Sequence, residues 1–279
     1  MIGLVFPGQG VQRRGMGDEL FDDAKELVAQ ADEVLGWSVA ELCRDDPDGR
    51  LADTRYAQPA VYLVNALAAR ERLTPGRYAW FAGHSLGEYN ALQAAGVLDL
   101  MTGLRLVARR AELMAAVTGG AMAAVTGLPA RLVEGTLRGA GLRRVHVANR
   151  NSDRQVVIAG DRGELRRAIE AVREAGAGKV TPLAVSGPFH TPLMAPVREE
   201  FARVLADVPF AAGDTPVMSS VTADVFDPAR AAELLSRQIA EPVEWVRTVQ
   251  ALRAAGVTDV DEVNGTTLTT LMSQIRTAR

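Results

Sequence analysis

Tyr78-Ala79-Trp80-Phe81-Ala82-Gly83-His84-Ser85-Leu86-Gly87 is the stretch whose reading decides the fold. Tyr78 to Ala82 is a short, apolar run, as expected of a strand covered on both faces. Gly83-His84-Ser85-Leu86-Gly87 fits Gly-x-Ser-x-Gly, and a helical pattern follows through Ala94. Two glycines at this spacing permit a sharp strand-to-helix turn that exposes the serine hydroxyl. The turn also aims a helix N-terminus at the serine, which favours negative charge developing there. In a chain with 26 glycines a chance pentapeptide is the competing explanation. The strand pattern before it and the helical pattern after it favour the turn.

The same rhythm continues on either side. Gly3 to Phe6 is a second apolar run, ending in Pro7-Gly8-Gln9-Gly10, and reads as a buried strand feeding a glycine loop. Asp18 to Leu35, Gln58 to Leu73 and Met101 to Ala116 carry helical periodicity. Strands alternating with helices predict a parallel sheet covered by helices. From Gly119-Gly120 the order changes: strand Ala121–Thr126, helix Ala130–Gly139, strands Val145–Ala148 and Gln155–Ala159 around a turn at Asn149–Arg154, helix Arg162–Ala175, strand Lys179–Val185. That order is βαββαβ, the ferredoxin-like unit. The expected architecture is therefore α/β, with a small ferredoxin-like subdomain over residues 119–187 inserted in a large one, residues 1–118 and 188–279. Short strands at Val217–Ser220 and Asp259–Val263 are expected in the C-terminal part.

Composition narrows the function. The chain has 279 residues, 48% of them hydrophobic, enough for a substantial core. No apolar run approaches the roughly 20 residues of a membrane span, and Met1 to Phe6 lacks the features of a signal peptide. Net charge is −3, with no bulk basicity to suggest nucleic acid. Lys25 and Lys179 are the only lysines, so arginine carries almost all the positive charge. One cysteine, Cys43, excludes an internal disulfide, and with three histidines it offers no ligand cluster. We expect no metal and no cofactor, and a cytoplasmic protein.

A serine nucleophile needs a base. His84 adjoins Ser85 on a tight turn, where neighbouring side chains point apart. His146 lies within a strand. His190 follows Ser186-Gly187-Pro188-Phe189, an irregular stretch of the kind that often carries catalytic groups, and by elimination it is the best candidate. The acids that a Ser…Asp…His order would offer, such as Asp153 and Asp161, fall in the ferredoxin-like unit, which points to a dyad rather than a triad. On the helix from Met101 to Ala116, Leu106, Val107, Leu113 and Met114 form one face, and Arg110 projects from its middle. A guanidinium there must find a partner. A structural carboxylate or carbonyl is one choice, a snorkelling side chain another, and a substrate carboxylate a third.

Together these residues resemble the malonyl-CoA:acyl carrier protein transacylase family, including the acyltransferases of polyketide synthases. Phe6-Pro7-Gly8-Gln9-Gly10, with Gln12 and Gly15-Met16, resembles its N-terminal signature, and Gln58-Pro59-Ala60 its second glutamine motif. Gly83-His84-Ser85-Leu86-Gly87-Glu88 is similar to its nucleophile motif, Phe189-His190 to its histidine motif, and Gln238 with Glu241-Pro242-Val243 and Trp245 to its late glutamine motif. The resemblance covers nearly the whole chain. It implies an α/β-hydrolase-like core with a ferredoxin-like subdomain. It also implies ping-pong transfer of malonyl from coenzyme A to the phosphopantetheine thiol of a carrier protein, through an ester on Ser85. His190 would be the base, oriented by the backbone carbonyl of Gln238. The backbone amides of Gln9 and Leu86 would bind the oxyanion. Arg110 would hold the malonyl carboxylate, with Gln58 and Phe189 also at the substrate. Phenylalanine before the histidine goes with malonyl rather than methylmalonyl.

One departure stands out. Where the family usually has Glu-Val-Gly-Pro-Gly, this chain reads Glu262-Val263-Asn264-Gly265-Thr266, one residue shorter and without proline. The resemblance begins and ends with the chain, so a discrete enzyme is expected, serving fatty acid synthesis or acting in trans on a polyketide synthase. Tyr89-Asn90-Ala91-Leu92 looks more like the latter type. The competing functions are an acyl hydrolase that clears carrier proteins, a transferase for another carboxyacyl unit, a non-catalytic carrier-docking module and a generic esterase. Arg110 argues against the hydrolase, Ser85 with His190 against the docking module, and the missing acid against the esterase.

Overall fold

The first strand forms where the apolar run begins. β1 spans Ile2–Phe6 and is buried from Gly3 onward. After it come α1 (Asp18–Phe21), α2 (Lys25–Leu35), α3 (Val39–Asp45), α4 (Thr54–Arg70), β2 (Trp80–Gly83), α5 (Gly87–Ala94) and α6 (Leu100–Ala115). The middle of the chain supplies β3 (Gly120–Thr126), α7 (Ala130–Gly139), β4 (Val145–Ser152), β5 (Gln155–Asp161), α8 (Arg162–Glu174) and β6 (Lys179–Pro182). The remainder is α9 (Ala195–Leu205), β7 (Val217–Met218), α10 (Ala231–Ala240), α11 (Trp245–Ala254), β8 (Asp259–Glu262) and α12 (Thr267–Ser273). The computed structural model describes residues 1–276.

β1, β2, β7 and β8 form a parallel sheet in the order β7-β2-β1-β8. Successive side chains in a strand face opposite ways. Leu4, Phe6, Phe81 and Val217 accordingly enter one core with α4, α5 and α6, and Val5, Ala82 and Met218 enter another with α11 and α12. Helices therefore cover both faces, as a parallel sheet requires.

The second sheet is antiparallel, in the order β4-β5-β3-β6. Val156 and Ile158 of β5 point to a small core with Val133, Leu137, Leu165 and Val172 of α7 and α8. The intervening Val157 and Ala159 join the large core. The small unit is thus buried on both faces of its sheet, one against its own helices and one against the rest of the protein. The architecture is an α/β-hydrolase-like core with an inserted ferredoxin-like subdomain.

Several boundaries differ from the sequence expectation. The helix expected over Asp18–Leu35 is two helices, interrupted after Phe21. The helix expected from Gln58 starts at Thr54, because the Asp53 carboxylate caps it by accepting from the Arg55 backbone N–H at 2.9 Å. Pro59 removes one rung of that helix without ending it. The turn expected at Asn149–Arg154 shrinks to Asp153 and Arg154, since β4 runs on to Ser152. Its extension is held from outside the small unit: Arg150 N–H donates to the Val243 carbonyl and Val243 N–H to the Ala148 carbonyl, both at 2.9 Å.

Ile158→Ala deletes a fully buried side chain from the small core and is expected to cost about 2–5 kcal/mol in urea unfolding. Leu132→Ala, at a position 44% exposed, should stay within about 0.5 kcal/mol of the parent.

Candidate active site

The turn between β2 and α5 is shaped by backbone contact. A Cβ on Gly83 would lie 2.0 Å from the Gly87 carbonyl carbon, and one on Gly87 would lie 2.0 Å from the Phe6 carbonyl oxygen. Nothing larger than glycine fits either position. Ser85, at the apex, has a φ of +52°, and His190 has +59°. Both are left-handed conformations that cost a residue with a side chain and tend to mark functional sites.

The two residues meet. Ser85 Oγ lies 2.8 Å from His190 Nε2, across a separation of 105 residues. His190 Nδ1 lies 2.7 Å from the backbone carbonyl of Gln238. A carbonyl only accepts, so Nδ1 carries the proton and Nε2 presents a lone pair to the serine hydroxyl. Burial, and then the nearby Arg110 charge, push the His190 pKa down to about 3. The imidazole is therefore neutral at physiological pH, the state in which it accepts a proton.

Arg110, on α6, is 1% exposed. Its Nη1 donates to Gln58 Oε1 at 2.7 Å, and its Nη2 donates to Ser85 Oγ at 3.1 Å and Gln238 Oε1 at 3.0 Å. Its guanidinium carbon sits 5.7 Å from the Tyr89 ring centre. Among the described residues no carboxylate lies within ion-pair distance of it, and its Nε has no partner. Burial pulls the Arg110 pKa down, opposed by Tyr89 and Glu88, but a guanidinium stays charged. Of the structural partners weighed from the sequence, a carboxylate and solvent are absent among the described residues, and the carbonyl is present as the side-chain amide oxygens of Gln58 and Gln238. The serine hydroxyl completes the set, and a substrate carboxylate is the remaining choice.

Gln58 also donates through Nε2 to Gln9 Oε1 at 3.1 Å, and Gln9 Nε2 donates to Thr54 Oγ1 at 3.1 Å. The Gln9 side chain is thus occupied. Among the described residues the backbone N–H groups of Gln9 and Leu86 have no acceptor. They belong to neighbouring loops, since a Cβ on Gly8 would lie 2.5 Å from the His84 carbonyl oxygen and 3.5 Å from Leu86 N. Phe189 is buried in the large core, packed against Gly187. His84 turns away from the serine, with Nε2 2.9 Å from Asn151 Oδ1 and its ring against Trp245. His146 lies half-buried on β4. Burial pushes the Cys43 thiol up to about 12, so it offers no competing nucleophile.

The sequence reading gave Glu88 no role. It is fully buried and accepts from Ser220 N at 3.1 Å, from Ser220 Oγ at 2.7 Å and from Gln238 Nε2. Burial pushes its pKa up, and the bonds from Ser220 and Gln238 pull it back. It fastens the Gln238 side chain, which in turn donates to the Ser85 carbonyl at 3.1 Å. The available signal was a charged residue three positions after Ser85, the only charge on that helix. Among the described residues no group of three or more His, Cys, Asp or Glu side chains is placed to hold a metal ion. No helix among them is long and apolar enough to cross a membrane.

Comparison with known proteins follows the same lines. A model of the acyl transferase domain family matches residues 4–264. The polyketide biosynthesis malonyl CoA-acyl carrier protein transacylase BaeC of Bacillus velezensis is 43% identical, over 99% of this chain and 97% of that protein. Two other polyketide biosynthesis proteins match over only 24% and 36% of their own lengths. The crystal structure of a malonyl CoA-acyl carrier protein transacylase from Burkholderia pseudomallei superposes with a TM-score of 0.94 at 42% identity, covering 99% of this chain and 98% of that one. A malonyl-transacylase in complex with a type II PKS acyl-carrier protein superposes with a TM-score of 0.91 at 35% identity, covering 98% and 92%.

The lowered pKa of His190 has a consequence for stability. Between pH 6.5 and about 3 the unfolded chain binds a proton at this position and the folded chain does not. Its contribution therefore falls as pH drops below 6.5, by up to about 1.4 kcal/mol per unit. His190→Gln removes that dependence. The stability of the variant relative to the parent, from urea unfolding, should rise by about 1–2 kcal/mol on going from pH 6.5 to pH 5.

Proposed function

The chain belongs to the acyl transferase domain family, and from that membership we infer that it transfers malonyl from coenzyme A to an acyl carrier protein, in polyketide or fatty acid biosynthesis. The observation that carries the reading is Arg110, a buried cation without a carboxylate partner, hydrogen-bonded to the hydroxyl that would carry the acyl group. Malonyl is an acyl group with a second, free carboxylate. Bound to Arg110, that carboxylate replaces neutral partners with an ionic one and holds the thioester carbonyl near Ser85 Oγ.

The chemistry follows from the groups present. His190 Nε2 takes the Ser85 proton as Oγ attacks the thioester carbonyl. The oxyanion is received by the backbone N–H groups of Gln9 and Leu86, which have no acceptor among the described residues, Leu86 lying at the N-terminus of α5. Collapse of the tetrahedral intermediate breaks the carbon–sulfur bond. The sulfur leaves with the proton from His190, and malonyl remains as an ester on Ser85. The carrier's phosphopantetheine thiol then gives its proton to His190 and attacks the ester, and the proton returns to Ser85. The Gln238 carbonyl holds His190 in one tautomer and supports the imidazolium that forms in each half-reaction. Gln58 and Gln238 hold the Arg110 fork, and we assign Phe189, buried and next to His190 in the chain, to the acyl side of the site.

No cofactor enters this scheme, since the thioester supplies the activation and coenzyme A leaves as a product. We assign residues 119–187 to the inserted small subdomain and place the reaction in the cytoplasm.

Ser85→Ala is expected to abolish acylation by malonyl-CoA, read as the malonyl adduct in intact-protein mass spectrometry. An adduct persisting on another residue would overturn the assignment. Arg110→Ala should lower malonyl transfer to a holo carrier protein relative to acetyl transfer by about two to four orders of magnitude, because one partner of a buried ion pair is worth about 3–5 kcal/mol. Equal loss for both acyl groups would make Arg110 structural. Release of free malonate in place of transfer would identify a hydrolase.

A further inference from the structure

Three asparagines outside the proton path are joined in a chain. Asn65 on α4 and Asn90 on α5 are both buried. Asn65 Nδ2 donates to the Pro7 carbonyl at 3.1 Å and to Asn90 Oδ1 at 3.2 Å. Asn90 Nδ2 donates to the Tyr62 carbonyl at 2.9 Å. Asn264 Nδ2 donates to Asn65 Oδ1 at 2.9 Å. Backbone carbonyls only accept, so Pro7 and Tyr62 determine which end of each buried amide is nitrogen. Asn65 Oδ1 must then be an acceptor, and Asn264 must be its donor.

Asn264 lies in the segment Glu262–Thr266, where the chain departs from the family pattern. Its φ of +54° is left-handed, a conformation asparagine tolerates better than most residues. The segment is held at both ends. Val263 N–H donates to the Val5 carbonyl at 3.0 Å. The Glu262 carboxylate accepts from Leu268 N at 2.9 Å and Thr269 N at 2.8 Å, closing the loop onto α12. The loop thus grips the stem of the Pro7–Gln9 loop twice, at Val5 through the backbone and at Pro7 through Asn65. Val11, just beyond that loop, lines a small cleft with Asn65 and Asn264. The Pro7 carbonyl is one peptide away from the Gln9 N–H, and Gly8 between them lies against the His84 carbonyl.

We propose that Asn264 is a positioning residue for acyl transfer: through Asn65 it holds the Pro7 carbonyl, and with it the Gln9 amide that receives the oxyanion. This rests on the role given above to the Gln9 and Leu86 amides. Removing an oxyanion donor outright costs about a hundredfold or more in rate. Loosening one costs less, and the loss appears in the transition state rather than in substrate binding.

The test is single-turnover acylation by malonyl-CoA, quenched and read by intact-protein mass. Asn264→Gly accommodates the positive φ while deleting the donor, and Asn264→Asp keeps the shape without an N–H. Both variants should acylate about 5- to 20-fold more slowly at saturation, with half-saturating malonyl-CoA within twofold of the parent and full final adduct. In an Asn65→Ala background, Asn264→Gly should add less than twofold. A parental rate in Asn264→Gly overturns the proposal. So does weakened malonyl-CoA binding at an unchanged maximal rate, a reduced final adduct from inactive protein, or an equal further loss in the Asn65→Ala background. If the parent itself forms no ester on Ser85, the reading of the site fails, and that outcome is visible before any variant is compared.

Discussion

Arg110 carries a full charge at a position 1% exposed, and the groups that hold it are neutral: two side-chain amides, a hydroxyl and the face of a tyrosine ring. Such a cation is poorly compensated, because amide dipoles replace water only in part. The surrounding structure is arranged to tolerate it. Gln58 reaches it from α4 and Gln238 from α10, and each amide spends its other end on a further partner, Gln9 for one and Glu88 with the Ser85 carbonyl for the other. The same charge helps hold His190 neutral. Under the proposed transfer, a malonyl carboxylate docked at Arg110 would oppose that effect and make His190 a better base.

The backbone around the site is equally constrained. Ser85 and His190 both adopt left-handed conformations, and Gly83 and Gly87 are in contact with backbone that leaves no room for a side chain. These local costs persist because the parallel sheet fixes β1 beside β2 and so sets Phe6 against the turn. The stability of the core is what keeps the half-buried serine at the apex of its turn.

Gln238 and Val243 show how the two sheets depend on one another. Gln238 touches His190 through its backbone and Arg110, Ser85 and Glu88 through its side chain. Five residues later, Val243 bonds β4 of the ferredoxin-like unit. One short segment therefore both sets the His190 imidazole and anchors the edge of the small sheet.

Local signals were legible without coordinates. The Ser85 turn, the βαββαβ order and the apolar strands are written in neighbouring residues, because turn conformation, strand alternation and helix periodicity act over a few positions. Element ends were less legible where they depend on pairing: β4 continues to Ser152 because it pairs with β5 as far as Ser152 and Gln155, and Val243, distant in the chain, bonds it at Ala148 and Arg150. Glu88, Asn65 and Asn90 were recognisable only as polar residues in apolar helices, since a buried polar side chain announces that it has a partner but not which one. The sequence by itself determined the chemical inventory: one nucleophilic turn, three histidines, and an arginine on an apolar helix face. Only the tertiary structure decided that the imidazole of His190 lies 2.8 Å from Ser85 Oγ and that amides, not a carboxylate, surround Arg110. Those contacts join residues as many as 128 positions apart, and packing of sheets and helices, not local propensity, brings such positions together.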